Sequence, residues 1–113
     1  MVVRFFETES GASPVVKHLD GLDRREAARV LAVLADIEVN GLDSSSATLR
    51  HVEGRLWEIK VSQQRVFYVL VKGPTLWLLH AYKKQGQKAP TREIKIAKRR
   101  MKVVLAAEGE EDG

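Results

Sequence analysis

At 113 residues with 44% hydrophobic and 30% charged side chains, the chain has room for one small core and is too apolar for a wholly disordered segment. It contains no cysteine, which excludes disulfides, thiolate metal sites and cysteine nucleophiles, and His18, His51 and His80 lack zinc-ligand spacing. The formal charge of +4 hides a more basic body: four acids, Glu108, Glu110, Glu111 and Asp112, lie in the last six residues, and without them the remainder carries +8, a field that favours polyanionic partners.

Val2 to Phe6 is short, β-branched and aromatic and predicts an opening strand, with neither a leader pattern nor a membrane-spanning run around it. A cytoplasmic protein with no membrane contact and no metal or other cofactor is therefore expected. Ser13-Pro14 combines an N-cap residue with proline at the first helical position, and Val15, Val16 and Leu19 form an apolar stripe ending at Gly21. Asp23 caps a second helix, with Glu26 at capping-box distance, Ala27, Val30, Leu31, Leu34 and Ile37 at helical spacing, and Asn40-Gly41 as the stop. Residues Asp43 to Thr48 are serine-rich and read as a loop.

Beyond them the period changes. Leu56 to Val61, Arg65 to Val71 and Leu76 to Tyr82 are β-rich runs separated by short polar links, the pattern of an antiparallel meander. From Thr91 the helical period returns, with Ile94, Ala97, Met101, Val104 and Leu105 on one side and a surround of arginines and lysines. The expected fold is α+β: a small antiparallel sheet made of the N-terminal strand and a three-stranded meander, an αα-hairpin packed on one face, and a C-terminal basic helix. One domain spans 1–107, and 108–113 is an acidic, disordered tail.

Strand register turns this into a surface. A two-residue first turn at Gln63-Gln64 puts Lys60 and Arg65 on one face, and closing the second hairpin with Val71 opposite Leu76 sets Phe67 against His80 and Arg65 against Tyr82. That face carries Glu58, Lys60, Arg65, His80 and Tyr82, while Trp57, Ile59, Val61, Tyr68 and Leu79 turn to the helices. Lys83, Lys84 and Lys88 follow at its rim. Metal-free RNA cleavage needs a base for the ribose 2′-OH, cations for the phosphorane and a donor for the departing oxygen. Arg65, Lys60, Lys83, Lys84, Lys88 and His80 are the candidate catalytic residues. Tyr82 could stack on a base, and Arg92, Lys95 and Arg99 on the last helix could grip RNA phosphates. The same lysines also fit a solvated surface, His80 a structural hydrogen bond and Tyr82 simple packing.

Leu56-Trp57-Glu58-Ile59-Lys60, Arg65-Val66-Phe67-Tyr68, Leu78-Leu79-His80-Ala81-Tyr82-Lys83-Lys84 and Gln87 through Ile94 together resemble the phage-derived, HigB-like branch of the RelE/ParE toxin superfamily. Ser13-Pro14-Val15-Val16 and Leu19 through Gly41 resemble its helical hairpin. The resemblance implies the toxin of a type II toxin-antitoxin pair, a ribosome-dependent, metal-independent mRNA endonuclease that inhibits translation. It implies the ribosome and mRNA as partners and a HigA-like helix-turn-helix antitoxin. By the resemblance Arg65 matches the strand arginine at the scissile phosphate and Lys60 the lysine on the preceding strand. The arginine and tyrosine expected after the last strand have no counterparts, lysines standing there instead, so the general acid and base are unassigned. Two other readings stay open: a ParE-like gyrase inhibitor that cleaves nothing, and a non-toxic phage accessory protein.

Overall fold

The computed structural model describes residues 1–44, 46–86 and 90–110. The elements in chain order are β1 (Val2–Phe5), α1 (Pro14–Asp20), α2 (Arg24–Ser44), β2 (Thr48–Glu53), β3 (Leu56–Val61), β4 (Gln64–Val71), β5 (Thr75–Lys83) and α3 (Thr91–Ala107). The helix signals act as their chemistry requires. Ser13 Oγ accepts from the Val16 N–H at 3.3 Å with Pro14 in the first turn, and Asp23 Oδ1 accepts from the Glu26 N–H at 2.9 Å. Glu26 does not complete a capping box. Its carboxylate instead accepts from Gln64 Nε2 at 3.0 Å, and Gln64 Oε1 meets His18 Nε2 at 2.6 Å, so one buried amide ties both hairpin helices to β4. Gly41 interrupts α2 at φ 80°, a left-handed conformation that costs glycine little.

The sheet order is β1-β5-β4-β3-β2, with β1 parallel to β5 and every other pair antiparallel. Two expectations are corrected here. The sheet is mixed and five-stranded, and the stretch read as loop up to Thr48 leads directly into a further strand, β2. That strand escapes a period-two reading because Leu49 packs with the hairpin side and Val52 with the opposite side, while Thr48, Arg50, His51 and Glu53 are exposed at the sheet edge.

The sheet lies between two layers. Ile59, Val61, Val66, Tyr68, Leu76 and Leu78 meet Val15, Leu19, Val30, Leu34 and Ile37 of the hairpin. Leu56, Phe67, Val69, Val71 and Leu79 meet Ala97, Val104 and Leu105 of α3. The face expected to lie open is thus half roofed by α3, because its apolar stripe needs burial as much as the hairpin's does. Leu79, expected on the hairpin side, is on the α3 side, because the ladder slips between Phe67 and Tyr68 and places a bulge in β5. Val71 consequently pairs with Thr75 rather than Leu76. Trp57 keeps its expected face but lies past the helices, 38% exposed.

The far end of α3 is clasped. Arg55, in the β2–β3 turn, donates to the Leu70 carbonyl at 2.8 Å and to the Glu110 carboxylate at 2.8 Å, and Glu110 also accepts from the Lys72 N–H at 2.8 Å. These contacts hold the Glu110 carboxyl below its ordinary pKa, Arg55 contributing most. Of the acidic segment expected to be disordered, Glu108 and Gly109 therefore form the helix-end turn and Glu110 is bonded in place, since two donors at the sheet edge face its carboxylate. Residues 111–113 lie outside the described residues.

The β3–β4 turn is Ser62-Gln63, one residue earlier than read, and Ser62 adopts φ 55°. A side chain there costs roughly 1 kcal/mol relative to glycine, so Ser62→Gly is expected to raise the thermal midpoint by a few degrees. An unchanged or lower midpoint in a calorimetric scan would show that this conformation carries no strain.

Candidate functional site

Strand pairing lines residues up in rungs. Thr48, Lys60, Arg65 and Tyr82 form one rung across β2, β3, β4 and β5, and Arg50, Glu58, Phe67 and His80 form the next. Both project to the α3 side of the sheet. The parity of the expected register is preserved because moving the turn back by one residue, from Gln63-Gln64 to Ser62-Gln63, shifts the partner of Lys60 by two residues, to Arg65. Two cations directly opposite each other repel and raise the local affinity for an anion. The Arg65 guanidinium is braced by its Nη1, which donates to the Ser62 carbonyl at 2.8 Å and the Gln64 carbonyl at 3.0 Å. This leaves the rest of its fork for a ligand.

The neighbouring rung contains what the sequence reading placed on this face without giving it a role. Glu58 is 1% exposed, and Arg50 Nε reaches its Oε1 at 2.8 Å from a half-exposed side chain. Glu58 Oε2 has no hydrogen-bond partner, and neither does the hydroxyl of Tyr82, a residue 8% exposed. Burial, followed by the nearby Glu58 charge, raises the Tyr82 pKa, so the phenol stays protonated. Two orphaned buried polar atoms on adjacent rungs are a cost that a folded chain rarely keeps without use. Arg50 was missed altogether, since it lies on the strand that was itself missed.

His80 is differently placed from a free acid. Arg100 Nη1 lies 3.0 Å from its Nδ1, and a guanidinium only donates, so Nδ1 accepts and Nε2–H points at Glu93 Oε1, 3.2 Å away. The same Arg100 donates to the Leu79 carbonyl at 3.0 Å and covers the Phe6 ring at 5.7 Å. His80 thus bolts α3 to β5, and its ring stacks at 6.2 Å from Phe67 and 6.5 Å from Tyr82. Burial is the main reason its pKa lies below 6.5, with Glu93 opposing and Arg100 reinforcing. Because the folded value is lower than the unfolded one, the unfolded chain takes up the proton first on acidification. The stabilisation is whole above about pH 6.5 and is lost as pH falls through the folded value. The thermal midpoint is expected to drop between about pH 7.5 and 5, less so in His80→Gln; parallel curves for the two proteins would remove His80 as the cause.

Lys83 ends β5 and by alternation points to the hairpin side, whereas the Lys84 N–H donates to the Gln63 carbonyl at 2.8 Å and continues the ladder. Lys88 lies outside the described residues. Arg92, Lys95 and Arg99 are exposed along one side of α3, a line that Lys102 extends, while Lys98 pairs with Glu53 of β2. The structure therefore brings Lys60, Arg65 and Tyr82 together with Glu58 and Arg50, sets His80 beneath α3, and spreads the α3 cations along an outer stripe. Among the described residues no helix is long and apolar enough to cross a membrane, and no group of three His, Asp or Glu side chains could hold a metal ion.

Fold and site define a small α+β protein that gathers cations over a buried carboxylate at one end of a mixed sheet. The chain belongs to the family described as Phage derived protein Gp49-like (DUF891), whose model matches residues 17–102, from α1 to near the end of α3. Every member of both rungs falls within that stretch. No curated protein matches the chain.

Proposed function

We propose that this protein is the toxin of a type II toxin-antitoxin pair, of the HigB-like branch of the RelE/ParE superfamily, and that it cuts mRNA on the ribosome without a metal ion. The observation carrying this reading is the Lys60–Arg65 pair set beside Glu58 and Tyr82. Arg65 and Lys60 would hold the scissile phosphate. An incoming phosphate competes with Glu58 for Arg50, and the released carboxylate takes the proton of the ribose 2′-OH. The 2′ oxygen then attacks phosphorus, the bond to the 5′ oxygen breaks, and a 2′,3′-cyclic phosphate and a 5′-OH result. The protonated Tyr82 hydroxyl would give its proton to the departing 5′ oxygen and be restored by the proton that Glu58 has taken, passed on through solvent. The exposed stripe of Arg92, Lys95 and Arg99 would follow ribosomal RNA phosphates, and a HigA-like antitoxin would neutralise the whole.

Inducible expression in a bacterium, with primer extension on a translated and an untranslated copy of one reporter message, tests the reading. Cuts restricted to the translated copy support it. Growth arrest with DNA damage and intact message would replace it with gyrase inhibition, and normal growth would leave a non-toxic binding protein.

A further inference from the structure

β5 is nine residues long, but β1 lies along only its first four, from Val2 opposite Thr75 to Phe5 opposite Leu78. The last contact is the Phe6 N–H donating to the Leu78 carbonyl at 2.8 Å, after which the chain leaves the sheet. From Leu79 to Lys83 no strand borders the outer edge of β5 among the described residues. The Leu79 carbonyl is taken by Arg100. Because the Lys84 N–H donates to Gln63, the alternation of an antiparallel ladder turns Tyr82 toward β4 and turns the N–H and C=O of Ala81 and Lys83 outward. Among the described residues those groups have no partner, and the edge opens into a cleft of 530 Å³ lined by His18 and Lys83 on the hairpin side and Lys84, Pro90 and Glu93 toward the α3 side.

We propose that this gap receives an extended acidic segment of a partner protein, which adds to β5 as a short sixth strand. A polypeptide offers alternating donors and acceptors at the strand spacing that Ala81 and Lys83 require, whereas a nucleic-acid backbone offers mainly acceptors. The charge on both sides matches an acid: Lys83 flanks one face of the incoming strand and Lys84 the other, while Glu93, the carboxylate lining the cleft among the described residues, is engaged by His80. The inference is independent of RNA cleavage, although a strand in this position would lie against Lys84 and the Arg65–Tyr82 rung and could cover them.

The full chain, labelled with nitrogen-15, would be titrated in about 150 mM salt with the capped pentapeptide Glu-Val-Glu-Val-Glu, its lysine analogue, and pentauridylate. The acidic peptide is expected to shift the Ala81 and Lys83 amides and slow their hydrogen exchange. Lys83→Pro removes an outward donor without touching the β4 ladder and should weaken binding about tenfold or more, while Lys83→Gln, which removes only charge, should cost about threefold. Equal losses in the two variants would reduce the contact to charge and overturn strand addition. So would unchanged exchange at Ala81 and Lys83 in the unmodified chain, a readout that needs no variant to fold. Shifts of the same amides by pentauridylate and not by the peptide would assign the gap to nucleic acid instead.

Discussion

Arg65→Ala is expected to lower cleavage of a translated message by about a hundred- to a thousandfold, and the double change with Lys60→Ala to bring it to background. A guanidinium that faces developing phosphate charge does most of its work in the transition state, so the loss should fall on rate. The fold should barely register the change, since Arg65 and Lys60 repel each other and both sit at the open end of the sheet. A thermal midpoint within a few degrees of the parent, together with lost growth arrest, is the combination to look for. Full toxicity in the double variant would mean that the rung is not where RNA is cut.

Changes at Glu58 and Tyr82 should separate function from stability. Tyr82→Phe deletes a buried hydroxyl that bonds nothing, so stability should be equal or higher by up to about 1 kcal/mol. Glu58→Met replaces a buried charge with an apolar side chain of similar length and should be neutral or stabilising, at most by a few kcal/mol. Cleavage should fall by roughly a hundred- to ten-thousandfold in Glu58→Met and Glu58→Gln alike, and less in Tyr82→Phe. Denaturant melts paired with single-turnover cleavage would decide the matter. If Glu58→Met unfolds the chain, the Arg50–Glu58 pair is a structural strut and the assignment of the base fails.

Much of this geometry was legible in residue alternation. The shared face of Lys60 and Arg65 follows from parity, which survived a turn placed one residue off, whereas the pairs Phe67 with His80 and Arg65 with Tyr82 rested on a second closure that was also one residue off and hold because the bulge at Leu79 offsets it. What alternation could not convey is where the third layer goes. Ile94, Ala97, Met101, Val104 and Leu105 announce an apolar stripe but not the sheet face that receives it, and that choice half-buried His80 and covered part of the expected binding surface. β2 was unreadable for a related reason. Its two apolar residues serve opposite layers, so neither face carries a run, and Arg50 disappeared with it. The bulge at Leu79 leaves no mark in composition, since leucine suits both cores. Glu58 was visible on its face, yet nothing in its neighbours' identities revealed that it would be desolvated.

The parallel bond between β1 and β5 has a consequence in time. Val2 pairs with Thr75, so β1, once made, waits for some seventy further residues before its neighbour exists. At about 5 to 20 residues per second that delay is several seconds, far longer than the microseconds in which α2 or the β3–β4 hairpin can form. Throughout it Val2, Val3, Phe5 and Phe6 have no β5 to lie against, while β2 to β4 can zip up locally as each turn emerges. The closing event of folding is then the return of β1 to the edge of β5, and a nascent chain halted before Thr75 holds only β2 to β4 of the sheet, with no edge for β1 to join.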